Sequence, residues 1–303
     1  MVAPLAESPR SRSIGDLVQR DRSVTTFAPM VFGAVAFVAL FSGPARSLAH
    51  DWWNDPDAGH GLLLFPVSLW LAWRSGVLTE GKAAPVWGTL LILGAVLLRA
   101  LGGLAAEFFT QRFAIWLCVV GIVVFAFGWR QARHWWLPLT LLLLAIPLPA
   151  LVTNKLAIPL QFKASQLGTD LIRWRDIPVR ATGNVIEIPG QRLFVAEACS
   201  GLRSLTALIA LGVMIGGMYL ATLPARLLLL LLSIPVAIAV NGVRIFLTAF
   251  LMYFVDPALG RGFMHESEGW ALFLVAFAIL GIIAWCVRWV ESRVTSRKVA
   301  FDA

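Results

Sequence analysis

The feature that most restricts this chain is the apolar run from Leu227 to Val255, about 29 residues in which Arg244 is the one charged side chain. Roughly 20 apolar residues already cross a hydrocarbon core about 30 Å thick. A run this long must tilt, break or project, and Asn241-Gly242 supplies a natural break. At a rise of ~1.5 Å per residue, Arg244 falls ~25 Å from the end that follows Arg226. An arginine at that depth is costly, which makes it a functional candidate with an anionic or carbonyl partner. The plainer alternative is a side chain that snorkels to the nearer headgroups.

Seven further apolar runs accompany it: Phe27 to Phe41, Leu62 to Trp73, Val86 to Ala106, Phe113 to Gly128, Trp135 to Val152, Leu202 to Ala221 and Trp270 to Val287. With 59% hydrophobic and 14% charged residues, the chain cannot hide this surface in one soluble core. The expectation is an all-α polytopic integral membrane protein of about eight transmembrane helices. The first run follows a long polar segment and precedes many others, so it reads as an uncleaved helix rather than a signal peptide. Residues 1–23 read as a disordered cytoplasmic tail, 24–290 as the transmembrane domain and 291–303 as a basic cytoplasmic tail.

The net charge of +8 comes from arginines in short segments between runs and at both ends, among them Arg74, Arg130, Arg133, Arg226, Arg288 and Arg293. That is the distribution of topology determinants, with both termini in the cytoplasm, and not a face for nucleic acid. Arg99, two-thirds along its run, either snorkels or faces the interior. His50 and His60 flank Asp51, Asp55 and Asp57 in a tryptophan-bearing loop. No spacing fixes them on one face, so they read as ordinary loop residues, and neither metal nor cofactor is expected.

Between the fifth and sixth runs lies the one long polar segment. Leu160, Leu167, Leu171 and Trp174 recur at helical spacing against Lys163, Gln166, Asp170 and Arg173, the pattern of an amphipathic helix on the outer surface. Val185 to Ile188 and Arg192 to Val195 then read as strands, separated by Pro189-Gly190. This extracytoplasmic helix-plus-hairpin insertion delivers Cys199 to the start of the sixth span. There Ser200 can cap the helix, and free amides and Arg203 favour a thiolate. Cys118 and Cys286 lie inside apolar runs and read as small hydrophobes. Cys199, Arg244 and His265, 45 and 21 residues apart in sequence, all arrive at the outer membrane face.

These three groups suffice for acyl transfer. Cys199 would attack a peptide carbonyl, His265 would take and return protons, and Arg244 would stabilise the oxyanion or hold the substrate backbone. Glu266 or Glu268 could orient His265, but a solvated acidic loop is the plainer reading of them. A rival class is a polytopic transporter or a component of exopolysaccharide export, with Arg99 and Arg244 lining a polar path. It calls for inverted halves, and no internal repeat is evident.

The stretch Glu197-Ala-Cys-Ser-Gly-Leu-Arg-Ser204, followed by Asn241-Gly-Val-Arg-Ile245 and then His265, resembles the exosortase/archaeosortase family. Asp176-Ile-Pro-Val179, Gly183-Asn184, Ile186-Glu-Ile-Pro189 and His60-Gly61 add to the likeness, which covers roughly residues 50 to 285. The resemblance implies a membrane-embedded cysteine protease or transpeptidase whose catalytic groups are Cys199, Arg244 and His265. It implies a bacterial inner-membrane location and substrates that are exported proteins with a C-terminal sorting signal. Such a signal is a motif of the Pro-Glu-Pro kind or a variant, an apolar helix and a basic tail. A thioacyl enzyme would be resolved by water or an amine. Besides these proteins, the partners are membrane lipids.

Both the segment 155–198 and the loop carrying His265 should be extracytoplasmic. Reporter fusions after residues 180 and 262 should report the outside, and a cytoplasmic signal from either overturns the common face.

Overall fold

The computed structural model describes residues 14–55, 58–79, 81–182, 185–194, 201–257 and 263–301. It divides into two units, Met1–Ser47 and Leu48–Ala303. The first holds most of helix α1 (Ile14–Asn54), whose Val31, Phe32, Val35 and Val38 are exposed, as suits a helix that meets lipid. This helix begins inside the stretch read as a polar tail.

The second unit continues with α2 (Gly61–Ser75), α3 (Pro85–Leu104), α4 (Phe108–His134), α5 (Trp136–Leu144) and α6 (Ala150–Trp174). Strands β1 (Arg180–Thr182), β2 (Val185–Ile188) and β3 (Gln191–Phe194) follow, then α7 (Gly201–Tyr219), α8 (Leu223–Phe254) and α9 (Phe263–Phe301). The last helix carries on through the segment read as a basic tail. Among the described residues, five helices are long and apolar enough to cross a membrane: Val31–Asn54, Pro85–Leu104, Phe108–His134, Leu223–Phe254 and Ala271–Val294. The chain is therefore an all-α polytopic membrane protein.

Among the described residues, three of the eight expected spans are not among these five. The run at 62–73 corresponds to α2, of 15 residues, and the run at 202–221 to α7, of 19 residues, in which Thr206–Tyr219 is the apolar stretch whose side chains are described. The run at 135–152 is not one helix. Pro147 and Pro149 cannot donate to a helical ladder, so α5 stops at Leu144 after 9 residues and α6 starts beyond the prolines.

Side chains from elsewhere satisfy the carbonyls that such short helices leave open. Trp52 Nε1 donates to the Ala145 carbonyl at 2.7 Å, and His60 Nε2 lies 3.2 Å from the Leu144 carbonyl. At the other end of α2, His134 meets the Ser75 carbonyl at 3.0 Å, while Gln131 and Trp135 donate to Gly76 at 3.2 and 2.9 Å. Gln131, His134 and Trp135 thus close the end of α2.

Helices α3 and α4 form an antiparallel hairpin seated on small residues: Gly88 lies against Phe125, Gly121 against Ile92 and Gly102 against Gln111. Gly128 breaks α4 with a φ of 80°, a conformation that favours glycine, and its open side is filled by the Lys82 carbonyl. Glu107 caps α4 by accepting from the Phe109 and Thr110 amides. Burial pushes its carboxyl up. The Thr110 hydroxyl, the Thr110 and Phe109 amides and the nearby Arg112 charge outweigh that and hold it below the ordinary glutamate value.

The expected hairpin is the second half of a three-stranded antiparallel sheet, with Ala181 opposite Ile186 and Ile186 opposite Leu193. Ile186, Ile188 and Leu193 share a core with Ala164 and Ile172 of α6 and with Ile245, Ala249 and Met252 of α8. The buried face of α6 differs from the one its leucines suggest. Ala164, Ser165, Gly168, Thr169 and Ile172 are buried, whereas Leu167 and Trp174 are exposed. Small residues let helix backbones approach closely, and leucines face lipid at no cost.

At the crossing of α6 and α8, a Cβ on Gly168 would stand 2.7 Å from Ile245 Cβ and 3.0 Å from the Gly242 carbonyl oxygen. Gly168→Leu should therefore destabilise the protein by about 1–3 kcal/mol through overpacking. Thermal unfolding in detergent checks this against Gly281→Ala, since Gly281 has open space around it.

Candidate functional site

Helices α7, α8 and α9 are tied together at the basic end of the bundle. Glu291 of α9 accepts from the amides of Ala221 and Thr222 at 3.2 and 2.6 Å and from the Thr222 hydroxyl at 2.6 Å. Arg226 Nε donates to the Leu220 carbonyl at 3.0 Å, and Arg288 donates to the Tyr219 carbonyl. Farther along, a Cβ on Gly212 would stand 3.4 Å from Ser233, and one on Gly216 would stand 3.6 Å from Leu229. Each step along α7 is thus matched by one step back along α8. Carried to the start of α7, this antiparallel register sets the backbone of Gly201 at the height of Arg244.

The same reckoning locates α9. Arg244 is 22 residues beyond Thr222, or ~33 Å along α8, and His265 is 26 residues from Glu291, or ~39 Å along α9. The backbone at His265 therefore stands about one helical turn beyond Arg244. Cys199 lies outside the described residues, between the end of β3 and the start of α7.

Arg244 is 7% exposed and so is enclosed by protein, which rules out snorkelling to the headgroups. The stripe that Leu229 and Ser233 turn toward α7 continues, at helical spacing, through Ala237 and Val240 to Arg244. Arg244 thus lies on the face of α8 that Leu229 and Ser233 turn toward α7.

A second buried group faces the same space from α6. Around α6, Leu167 and Thr169 fall on opposite sides of Gly168, and around α8, Gly242 and Arg244 fall on opposite sides of Ile245. Leu167 fills the space over Gly242, with its Cδ2 2.7 Å from a Cβ built there. The leucine side of α6 thus meets the glycine side of α8. Ser165 and Thr169 are left on the side of Asn241, Arg244 and Thr248, and all five are buried. Sequence reading missed the two hydroxyls because it followed the leucines. The available signal was the small-residue stripe Ala164, Ser165, Gly168, Thr169.

The remaining candidates have structural places. Arg99 Nη1 lies 2.9 Å from a Cβ built on Gly103, one turn toward the C-terminal end of α3, the direction snorkelling requires. His60 closes the end of α5 beside Trp52. Arg112, which the sequence did not single out, is 6% exposed and bonds the Asp51 carboxylate at 2.7 Å, with its guanidinium 5.5 Å from the centre of the Phe108 ring.

Fold and site together define a multi-pass all-α membrane protein with a buried polar centre beneath a small sheet. A family model described as transmembrane exosortase matches residues 52–282, close to the limits of the resemblance read from the motifs. Searches of curated proteins and of solved structures gave no match. The chain belongs to the exosortase family, membrane cysteine transpeptidases or proteases that in general process sorting signals.

A guanidinium enclosed in this way acts through its planar fork of donors, which an ammonium cannot reproduce. Arg244→Lys should keep the folded protein, judged by size exclusion in detergent. It should cut processing of a tail-bearing substrate by roughly 10²–10³-fold. Near-parental turnover would show that only the charge matters.

Proposed function

We propose that this protein cleaves the C-terminal sorting signal of exported proteins at the outer face of the bacterial inner membrane, through a thioacyl intermediate on Cys199. What supports the reading is the register of three helices tied near Thr222: extended at the rise of an α-helix, it brings Gly201 level with Arg244 and His265 about one turn beyond. Cys199 is two residues from Gly201, a chain length of at most ~7 Å. A nucleophile there would stand within reach of both the arginine and the histidine.

The Cys199 sulfur attacks the scissile carbonyl carbon while His265 removes the thiol proton. Arg244 donates to the carbonyl oxygen as it becomes an oxyanion, in a site where protein has replaced water. The C–N bond then breaks, His265 returns the proton to the leaving amine, and the acyl group remains as a thioester. Water or an acceptor amine, deprotonated by His265, resolves it. The leaving fragment carries the substrate's own apolar helix, and a nucleophile at the membrane edge suits a bond just outside that helix.

Topology supports the same reading. Arg74, Arg226 and Arg288 belong to helix ends held together by Gln131, His134, Arg226 and Glu291, at the end of the bundle away from the sheet. By the positive-inside rule that end is cytoplasmic, which makes the sheet and Arg244 extracytoplasmic.

Cys199→Ala should lower processing of a co-expressed substrate bearing a Pro-Glu-Pro signal by about 10³-fold or more while leaving membrane insertion intact. Cys199→Ser should retain a trace at most. Processing at the parental rate by Cys199→Ala sinks the enzyme reading and favours an export component.

A further inference from the structure

We propose that the Thr169 hydroxyl is a substrate-binding group that accepts a backbone N–H of the sorting-signal peptide beside the carbonyl held by Arg244. The inference rests on the cysteine-transpeptidase reading and deepens it by naming a contact that positions the peptide.

Three observations lead to it. Thr169 is 2% exposed, and among the described residues its Oγ1 has no hydrogen-bond partner. A helical threonine ordinarily donates back to the carbonyl four residues earlier, and this one does not. Next, its side of α6 faces the side of α8 that carries Asn241, Arg244 and Thr248, at the height where Gly168 meets Gly242 and Ile245. Finally, Asn241, Arg244 and Thr248 each have an interaction partner, and the buried atoms of this polar seam that make no hydrogen bond among the described residues are a donor, Arg244 Nε, and a hydroxyl that can accept, Thr169 Oγ1.

The chemistry of the seam says what these two groups fit. A guanidinium only donates, so Arg244 can take a peptide carbonyl but never an amide N–H. A hydroxyl oxygen offers two acceptor lone pairs. An extended peptide presents carbonyls and amides in alternation, and a donor-only group beside an unspent acceptor complements one such unit. In the resting protein the buried hydroxyl is a destabilising feature, which the bound peptide relieves.

The test uses the full-length protein in detergent, with Thr169→Val, which keeps the shape and removes the hydroxyl, and Thr169→Ser, which keeps the hydroxyl and loses the methyl. On a tail-bearing substrate with a Pro-Glu-Pro signal, Thr169→Val should lower kcat/KM about tenfold, mainly through KM, as loss of one hydrogen bond present before and during reaction predicts. Thr169→Ser should restore most of it, whereas a purely packing role would leave the serine variant impaired as well. Without substrate, Thr169→Val should unfold at or above the parental temperature. Parental kcat/KM in Thr169→Val overturns the proposal. So does a clear fall in its unfolding temperature, which would reveal a partner in the resting protein. Cys199→Ala runs alongside: if it is inactive while the parent cleaves, the functional reading stands and the Thr169 variants judge this inference alone. If the parent leaves the substrate intact, or Cys199→Ala cleaves it, the reading fails and this inference with it.

Discussion

Inside a bilayer every backbone amide and carbonyl must find its partner within the protein, and this constraint organises the whole molecule. Several helices here are too short or too interrupted to satisfy it alone. Their open ends are closed by side chains far away in sequence: Trp52 and His60 on the end of α5, Gln131, His134 and Trp135 on the end of α2, and Glu291 on the start of α8. Each bond also joins two segments at a defined height. The hydrogen bonds that make broken helices tolerable are therefore the ones that set the register of the bundle.

The register has its main consequence at the end opposite these ties. Three helices anchored together near Thr222 run side by side, so residues far apart in sequence return to one level. By their distances along the helices from that tie, Arg244, the first turn of α7 and the backbone at His265 come to within about one helical turn in height. Small residues then decide how tightly the next helix closes over that level. Gly168 and Gly242 let α6 approach the backbone of α8, and the sheet packs its isoleucines over the same crossing.

Burying an arginine together with two amide- or hydroxyl-bearing neighbours on α8 and two hydroxyls on α6 is a poor way to stabilise a bundle. Hydrophobic side chains of similar size would do better. Polar groups kept in such a place point to chemistry, and the seam between α6 and α8 holds several of them at one height. By contrast, the Asp51–Arg112 pair and the buried Gln131 bond groups that fix segments to one another, which accounts for them structurally.

Much of this protein could be read from the chain itself. Apolar runs of membrane length, arginines at alternate ends and the ordered Cys199, Arg244 and His265 motifs led to a multi-pass membrane protein and to its family, because hydropathy and short motifs are local properties of sequence. The two strands read there, at 185–188 and from 192 on, were legible for the same reason, through alternation and Pro189-Gly190, and the second runs Gln191–Phe194. Tertiary structure decided what depends on distant partners. It split the run at 135–152 at its prolines, buried the small-residue stripe of α6 while leaving Trp174 exposed, and enclosed Arg244 instead of letting it snorkel. It also set Ser165 and Thr169 on the side of α6 that faces the arginine's side of α8, which no periodicity announced. A helix shows its own faces in its sequence, but which face is buried, and against what, is settled only when another helix arrives, and here glycines at the crossing made that choice.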